Sequence, residues 1–343
     1  MFESHSAPRT PNWKLRFVIA VVSFALGAGF VSIWRMTQMP LRSFRGHLPE
    51  LTSSQSGLAT RLADHVHYLS ETIGERNIAH DGSLEKTVDY LRKVLTMDGY
   101  AVTEQTYVAH GHAVSNLEAQ LVGSAPSEGA IVLGGHYDSV DGTVGANDNA
   151  TGVAAVLELA RSLRQIKFRR NIRFLLFVNE EPPYFQTTQM GSMVYAKKLR
   201  DEGTPVSAMI SVETIGFYSD VRGSQEYPAV LSLFYPSRGN FIGFVGNSES
   251  RNLVRQAVRA FRGAAQFPSE GVAAPSTWPG IGWSDQWSFW QHGYSAIMVT
   301  DTAAFRYPNY HRVDDTSDKV DYNRMARVVE GLKVVVGALA DQD

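Results

Sequence analysis

Apolar residues recur along this chain with two periods. Residues 102–109 and 116–122 switch between apolar and polar at every second position, as half-buried strands do. Residues 130–134, 171–178 and 208–212 are short, strongly apolar runs, the pattern of strands covered on both faces. Residues 58–74, 84–97, 152–163, 190–200, 252–262 and 323–340 repeat apolar side chains at helical spacing, with Ser83 placed to cap the second of these helices. Residues 230–234, 241–245 and 296–299 read as further strands. Strands separated by helices predict an α/β domain whose sheet has a parallel core. In such sheets chemistry gathers beyond the C-terminal strand ends. Three of the runs here lead into His136, Glu180 and Glu213.

The N-terminal pattern is different. Residues 17–34 carry no charge and are flanked by Lys14 and Arg16 before and Arg35 after, with Trp13 and Trp34 at the edges. A run of this length lies near the lower limit for crossing a bilayer, and the tryptophans sit where interfacial aromatics are expected. The competing reading is a cleaved signal peptide, for which Ala25, Gly27, Ala28 and Gly29 supply small residues. The run continues past them, and its length favours a retained transmembrane anchor. Basic residues lie on both sides, so charge does not orient it. A short leading tail ordinarily stays in the cytoplasm, which places the C-terminal domain on the non-cytoplasmic side. The expected organisation is a tail over 1–16, an anchor over 17–34, a polar mobile linker over 35–57 and a catalytic domain over 58–343.

Composition narrows the chemistry. The 343 residues are 44% hydrophobic and 19% charged, which fits a chain with a sizeable core. A formal net charge of -2 offers no basic field for nucleic acid. With no cysteine, any metal site must be built from His, Asp and Glu.

Those residue types recur at strand ends. His136-Tyr137-Asp138 follows the run 131–135, so a metal-binding imidazole would have a carboxylate two residues on to accept its other ring N–H. Asp148 lies in Gly145-Ala146-Asn147-Asp148-Asn149-Ala150-Thr151-Gly152, where glycines permit tight backbone geometry but a helix cap is also possible. Glu180 and Glu181 are adjacent carboxylates after a buried strand, a costly pair unless a cation or protons compensate. One can bind metal while the other serves as a general base. Glu213 ends another strand, and His311 precedes the closing helix. Together His136, Asp148, Glu181, Glu213 and His311 offer the N and O donors that two zinc ions accept, with Asp148 the candidate bridge. His65, His67, His110, His112 and His292 lack such surroundings and read as structural.

This ordered set resembles the two-zinc aminopeptidase family, whose relatives include glutamate carboxypeptidase II and the glutaminyl cyclases. The likeness rests on 135–139, 145–152, 179–181, 211–216 and Tyr310-His311, with Ile73-Gly74-Glu75-Arg76, Ser284-Asp285-Gln286 and 314–318 as further matches, and covers residue 58 onward. It implies a single zinc-exopeptidase domain with a mixed, centrally parallel sheet flanked by helices, a peptide substrate and two Zn2+. It places His136, Asp148 and Glu213 on one ion and Asp148, Glu181 and His311 on the other. Glu180 becomes the general base, Asp138 orients His136, Tyr310 faces the oxyanion, and Asp285 orients substrate or a ligand. The chain departs from the family pattern at Glu213, usually Asp, at Gln286, often His, and over 182–192, where a short Gly-containing turn is usual. Two other functions stay open: a glutaminyl cyclase-like acyl transfer, and a non-catalytic, membrane-anchored binding protein on the same fold.

Overall fold

A computed structural model describes residues 13–341, and the expected tail over 1–16 falls mostly outside them. The chain divides after Gln38 into two compact units. The first is the helix α1 (Trp13–Thr37), of mean hydropathy 2.2. At 1.5 Å per residue it is about 37 Å long, enough to cross a bilayer's hydrocarbon layer.

The second unit is the α/β domain. It opens with α2 (Ser53–His67), started by a reciprocal cap in which Thr52 Oγ1 accepts from the Gln55 N–H and Gln55 Oε1 accepts from the Thr52 N–H. The helix therefore begins inside the stretch expected to be linker. Residues 39–49 are not free either. Arg262 donates to the carbonyls of Pro40 (3.2 Å) and Leu41 (3.0 Å), the Ser269 N–H donates to Ser43 Oγ (2.9 Å), and Arg327 donates to Pro49 O. Met39 and Leu48 also pack against the core, but two isolated apolar residues set no period, so hydropathy gave no sign of the attachment.

A π-helical turn (Tyr68–Ile73) and α3 (Ser83–Met97) lead to β1 (Val102–Ala109) and β2 (His112–Leu121), an antiparallel pair. The chain then alternates β3 (Ala130–His136), α4 (Thr151–Leu163), β4 (Ile172–Phe177), α5 (Gly191–Asp201) and β5 (Val206–Glu213). The last part runs β6 (Ile242–Asn247), α6 (Arg251–Ala264), β7 (Ser269–Ala274), α7 (Gln286–Gln291), β8 (Ala296–Thr300) and α8 (Tyr322–Ala340). One eight-stranded sheet results, in the order β1-β2-β4-β3-β5-β8-β6-β7. Its centre, β4-β3-β5-β8, is parallel, and β2 and β6 join it antiparallel. This is the mixed, centrally parallel sheet anticipated from the sequence.

Helices cover both faces. α2, α4, α6 and α8 pack one side around Leu62, Val156, Phe261 and Leu332, and α5 and α7 cover the other around Phe177, Tyr195 and Phe289. Phe177 is fully buried between them, so its truncation to Ala would cost about 3–5 kcal/mol. Because the central strands are parallel, their C-terminal ends share one edge. His136 stands beside Phe177 in register, and Glu213 beside Thr300.

One expectation fails and two elements were not anticipated. Residues 230–233 belong to a 3-10 turn (Ala229–Leu233) capped by Phe234, and not to a strand. Strand β7, Ser-Glu-Gly-Val-Ala-Ala, carries too little apolar alternation to announce itself, and six-residue α7 is too short to show a period.

Candidate metal centre

The strand ends deliver the candidate ligands. β3 ends on His136 and β5 on Glu213, while β4 is followed by Asn179, Glu180 and Glu181. Asn179 (φ +59°), Thr214 (φ +43°) and His311 (φ +56°) occupy the left-handed region that non-glycine residues seldom adopt, each at about 1–3 kcal/mol. All three sit beside or within the cluster, Asn179 and Thr214 where the chain leaves β4 and β5 and His311 within a loop. Asp148 lies in the turn Ala146–Ala150 just before α4, where its backbone leaves helical geometry (φ -110°, ψ 95°). Gly145 enters this turn at φ +54°, and a Cβ there would lie 2.2 Å from Asp148 O. Only glycine fits.

The five donor-bearing residues converge. His136 Nε2 is 3.2 Å from Glu213 Oε2 and 3.4 Å from Asp148 Oδ1. His311 Nε2 is 3.1 Å from Asp148 Oδ2 and 3.3 Å from Glu181 Oε2. Asp148 thus turns one oxygen to each imidazole. Ligands about 2.0–2.2 Å from a tetrahedral ion lie roughly 3.3–3.6 Å from one another, close to these separations. His136 Nε2, Asp148 Oδ2 and Glu181 Oε1 are buried and have no hydrogen-bond partner among the described residues. Such atoms are costly unless something binds them. Geometry and orphaned donors both fit two N/O-ligated cations. Glu180 Oε2 lies farther off, 3.9 Å from His136 Nε2, and forms a looser third group with His136 and Glu181.

A layer of hydrogen bonds holds these side chains. Asp138 differs from expectation in what it grips. Its carboxylate stands 3.5 Å from His136 Nδ1, while its main-chain O lies closer, at 3.1 Å. The carboxylate instead accepts the N–H groups of Glu180 and Glu181, both at 3.1 Å. Asp138 therefore fixes the acidic turn as well as the imidazole. Asp315, given no role from sequence, accepts the N–H groups of Asn147 (2.9 Å) and Asp148 (3.0 Å) and the Tyr307 hydroxyl (2.8 Å). Asn149 ties the same turn to β5 through Val212 O and the Thr214 N–H. Ser284 donates to Glu213 Oε2 at 2.7 Å. The acidic pair Asp314-Asp315 was the available signal for Asp315, but its partners are main-chain groups that no spacing rule reveals.

Protonation follows from this crowding. Burial, with Asp148 nearby, pushes Glu181 up to about 7. Burial opposed by His136 but reinforced by Glu181 and Glu213 leaves Glu180 well above the carboxylate range. Burial disfavours charge on His311, yet Asp148 and Glu181 overcome it and raise the imidazole to about 10. Asp148, despite burial, is held below the usual range by the two imidazoles. A cation at these carboxylates would displace the protons that the imidazoles otherwise carry.

Beside the cluster opens a solvent-connected cleft, bordered by Glu213 and Tyr310 and walled by apolar groups such as Leu231, Phe241, Ile281 and Met298. Trp283, half exposed, stacks on Phe305 at its rim, whereas Trp278 and Trp287 do not line it. Tyr310 stacks on the His311 ring at 3.9 Å. Burial first, and then the surrounding carboxylates, keep its hydroxyl protonated far above neutrality. Asp285 is fully buried, and burial raises it to about 7.

A mixed α/β sheet with a carboxylate-imidazole cluster at its C-terminal edge defines a candidate metallohydrolase. Comparison with known proteins agrees. The pattern of peptidase family M28 matches residues 116–336. YfbL, an uncharacterised protein of Escherichia coli (strain K12), is 38% identical over 277 residues, spanning 78% of this chain and 84% of its own. Among solved structures, a zinc aminopeptidase from Bacillus subtilis superposes with a TM-score of 0.66 at 14% identity, covering 83% of this chain and 95% of that one. A Porphyromonas gingivalis glutaminyl cyclase gives 0.62 at 20%, covering 81% and 97%. The chain belongs to peptidase family M28.

Proposed function

We propose that the protein is a membrane-anchored zinc aminopeptidase. His136, Asp148 and Glu213 would hold one ion, and Asp148, Glu181 and His311 a second. The observation that carries this reading is Asp148, with one oxygen 3.4 Å from His136 and the other 3.1 Å from His311. When bound, zinc supplies Lewis-acid polarisation of the scissile carbonyl and makes water acidic enough to serve as nucleophile near neutral pH. The remaining work falls to side chains. Glu180 takes the proton from the attacking water and passes it to the departing amine. Its burial beside Glu181 and Glu213 raises its proton affinity, which suits that transfer near neutrality. Asp138 holds Glu180 in place through the main-chain N–H. Tyr310, protonated at all working pH, donates its hydroxyl to the developing oxyanion. The apolar cavity next to Glu213 and Tyr310 accepts the side chain of the terminal residue, which favours large apolar residues. Helix α1 would anchor the enzyme with its catalytic domain on the non-cytoplasmic side.

The test is mass spectrometry of a defined peptide mixture incubated with the full-length, zinc-loaded protein in detergent. The mixture contains free and blocked termini and an N-terminal Gln. Stepwise loss of apolar N-terminal residues from unblocked peptides alone is the expected result. Loss from the C-terminus would move the activity to carboxypeptidase, and ammonia loss from N-terminal Gln would favour the cyclase. No change in any peptide would leave a binding role.

A further inference from the structure

Arg76 is fully buried and stands outside the ligand cluster. It makes no direct ion pair among the described residues. Every guanidinium hydrogen bond goes to a main-chain carbonyl. Nε donates to Tyr137 O (2.7 Å) and Nη2 to Gly145 O (2.9 Å). Nη1 donates to Val144 O (2.6 Å), Gly74 O (3.0 Å) and Leu69 O (3.2 Å). The main chain of Arg76 adds two bonds to Ser139, one accepted by Ser139 Oγ (3.1 Å) and one donated by the Ser139 N–H (2.9 Å).

Five of these seven contacts fall on the segment 137–145. That segment joins His136 to Asp148, the two donors whose separation a shared ion must match. It has no regular structure of its own, so without Arg76 the carbonyls of Tyr137 and Val144 would lose their donor and Gly145 O would keep only the Ala150 N–H. Burial lowers the guanidinium only to about 10, so it stays charged, and Asp138, Asp315, Asp148 and Glu181 surround it. A planar fork with five fixed donors can serve carbonyls in several directions at once, which an ammonium cannot.

We propose that Arg76 is a positioning residue that fixes the segment between His136 and Asp148 and thereby sets the zinc affinity of the site they share. The proposal rests on the zinc reading above. It assigns a task to the Gly74-Glu75-Arg76 motif, which the chemistry itself does not use. Arg76 touches neither substrate nor a ligand side chain, and its permanent charge lets the carboxylates assemble before metal arrives.

The experiment is a zinc titration of the full-length protein in detergent against a chromophoric chelator, for wild type, Arg76→Lys and Ser139→Ala. Circular dichroism reports the folded fraction of each. Folded Arg76→Lys keeps the charge but loses the fork. Its zinc affinity should fall by ~10–100-fold, the range for residues that orient metal ligands. Its activity should return towards the wild-type plateau as zinc is raised, a shift of midpoint that a loss of folded protein would not produce. Zinc affinity equal to wild type in folded Arg76→Lys overturns the proposal. If that variant does not fold, Ser139→Ala decides: it loosens 137–145 from Arg76 with the guanidinium intact. A several-fold weaker affinity supports the assignment, and an unchanged one overturns it. Wild type that takes up no zinc overturns the underlying metal reading instead, and is seen before either variant is measured.

Discussion

The two ligand groups of the candidate metal centre share Asp148 and are otherwise built differently. The half around His136 and Glu213 is sealed, with side-chain exposures of 1% and 7% and both ligands on the ends of neighbouring parallel strands. The other half is completed by His311, which comes from a loop and is 31% exposed. Each strand-end ligand is paired in register with a neighbouring strand, His136 with Phe177 and Glu213 with Thr300, whereas the His311 loop is held by turns such as Arg312 N–H to Asn309 O. The sealed half should therefore be the tighter site and the open half the one that exchanges metal and meets solvent. Glu213 and Tyr310 both line the apolar cleft, so in the proposed mechanism substrate would meet the boundary between the two halves.

The most severe way to break this asymmetry is Asp148→Asn, which weakens both halves at once. Activity should fall to background and zinc content, read by atomic emission, should drop for both ions. Next is Glu180→Gln, expected to lower kcat by ~10²–10⁴-fold, the usual share of a general acid-base group. Its zinc content should stay at the wild-type value, and turnover near wild type would remove Glu180 from the proposed mechanism. His136→Ala and His311→Ala sharpen the contrast between halves. His311→Ala should retain one ion and a melting temperature near wild type. His136→Ala should lose the sealed ion and also melt earlier, because Glu213 and Glu180 are left buried without a cation beside them. Equal zinc loss and equal melting in the two variants would refute the asymmetry.

The smallest effect concerns pH. In chelator-treated protein Glu181, Asp285 and Asp315 are each raised to about 7, chiefly by burial. Acidic neighbours raise His311 to about 10. All four hold protons more tightly when folded, so the folded state binds more protons than the unfolded chain between roughly pH 4 and pH 10. For the carboxylates, stability declines as pH rises from the ordinary carboxylate range through about 7. For His311, the stabilisation is complete below its ordinary pKa near 6.5 and is lost through about 10. Asp148 shifts the opposite way, but its change is complete below pH 4. The chelated protein should thus melt several degrees lower at pH 8 than at pH 6 by scanning calorimetry. Zinc should restore more stability at pH 8 than at pH 6, since ligands bind it deprotonated. A chelated protein that melts higher at pH 8 would contradict the crowding described here.

The sequence and the structure divide the protein unevenly. Hydrophobic periodicity was enough to place β3, β4 and β5 and the helices between them, because strands buried on both faces must be continuously apolar. Ligand candidates followed from those ends, since His136, Glu180 and Glu213 each stand where an apolar run stops. The absence of cysteine confined the metal donors to imidazole and carboxylate. Where burial did not impose a pattern, the sequence was silent. β7 forms an edge with little apolar alternation, and residues 39–49 adhere through main-chain carbonyls, one serine hydroxyl and the isolated apolar side chains Met39 and Leu48. Only the tertiary structure decided that Asp138 grips the Glu180-Glu181 turn, that Asp315 clamps Asp148, and that Arg76 holds the segment between two ligands. These contacts join a side chain to backbone atoms distant in sequence. A backbone atom is the same at every residue, so only the fold can say which one a side chain meets.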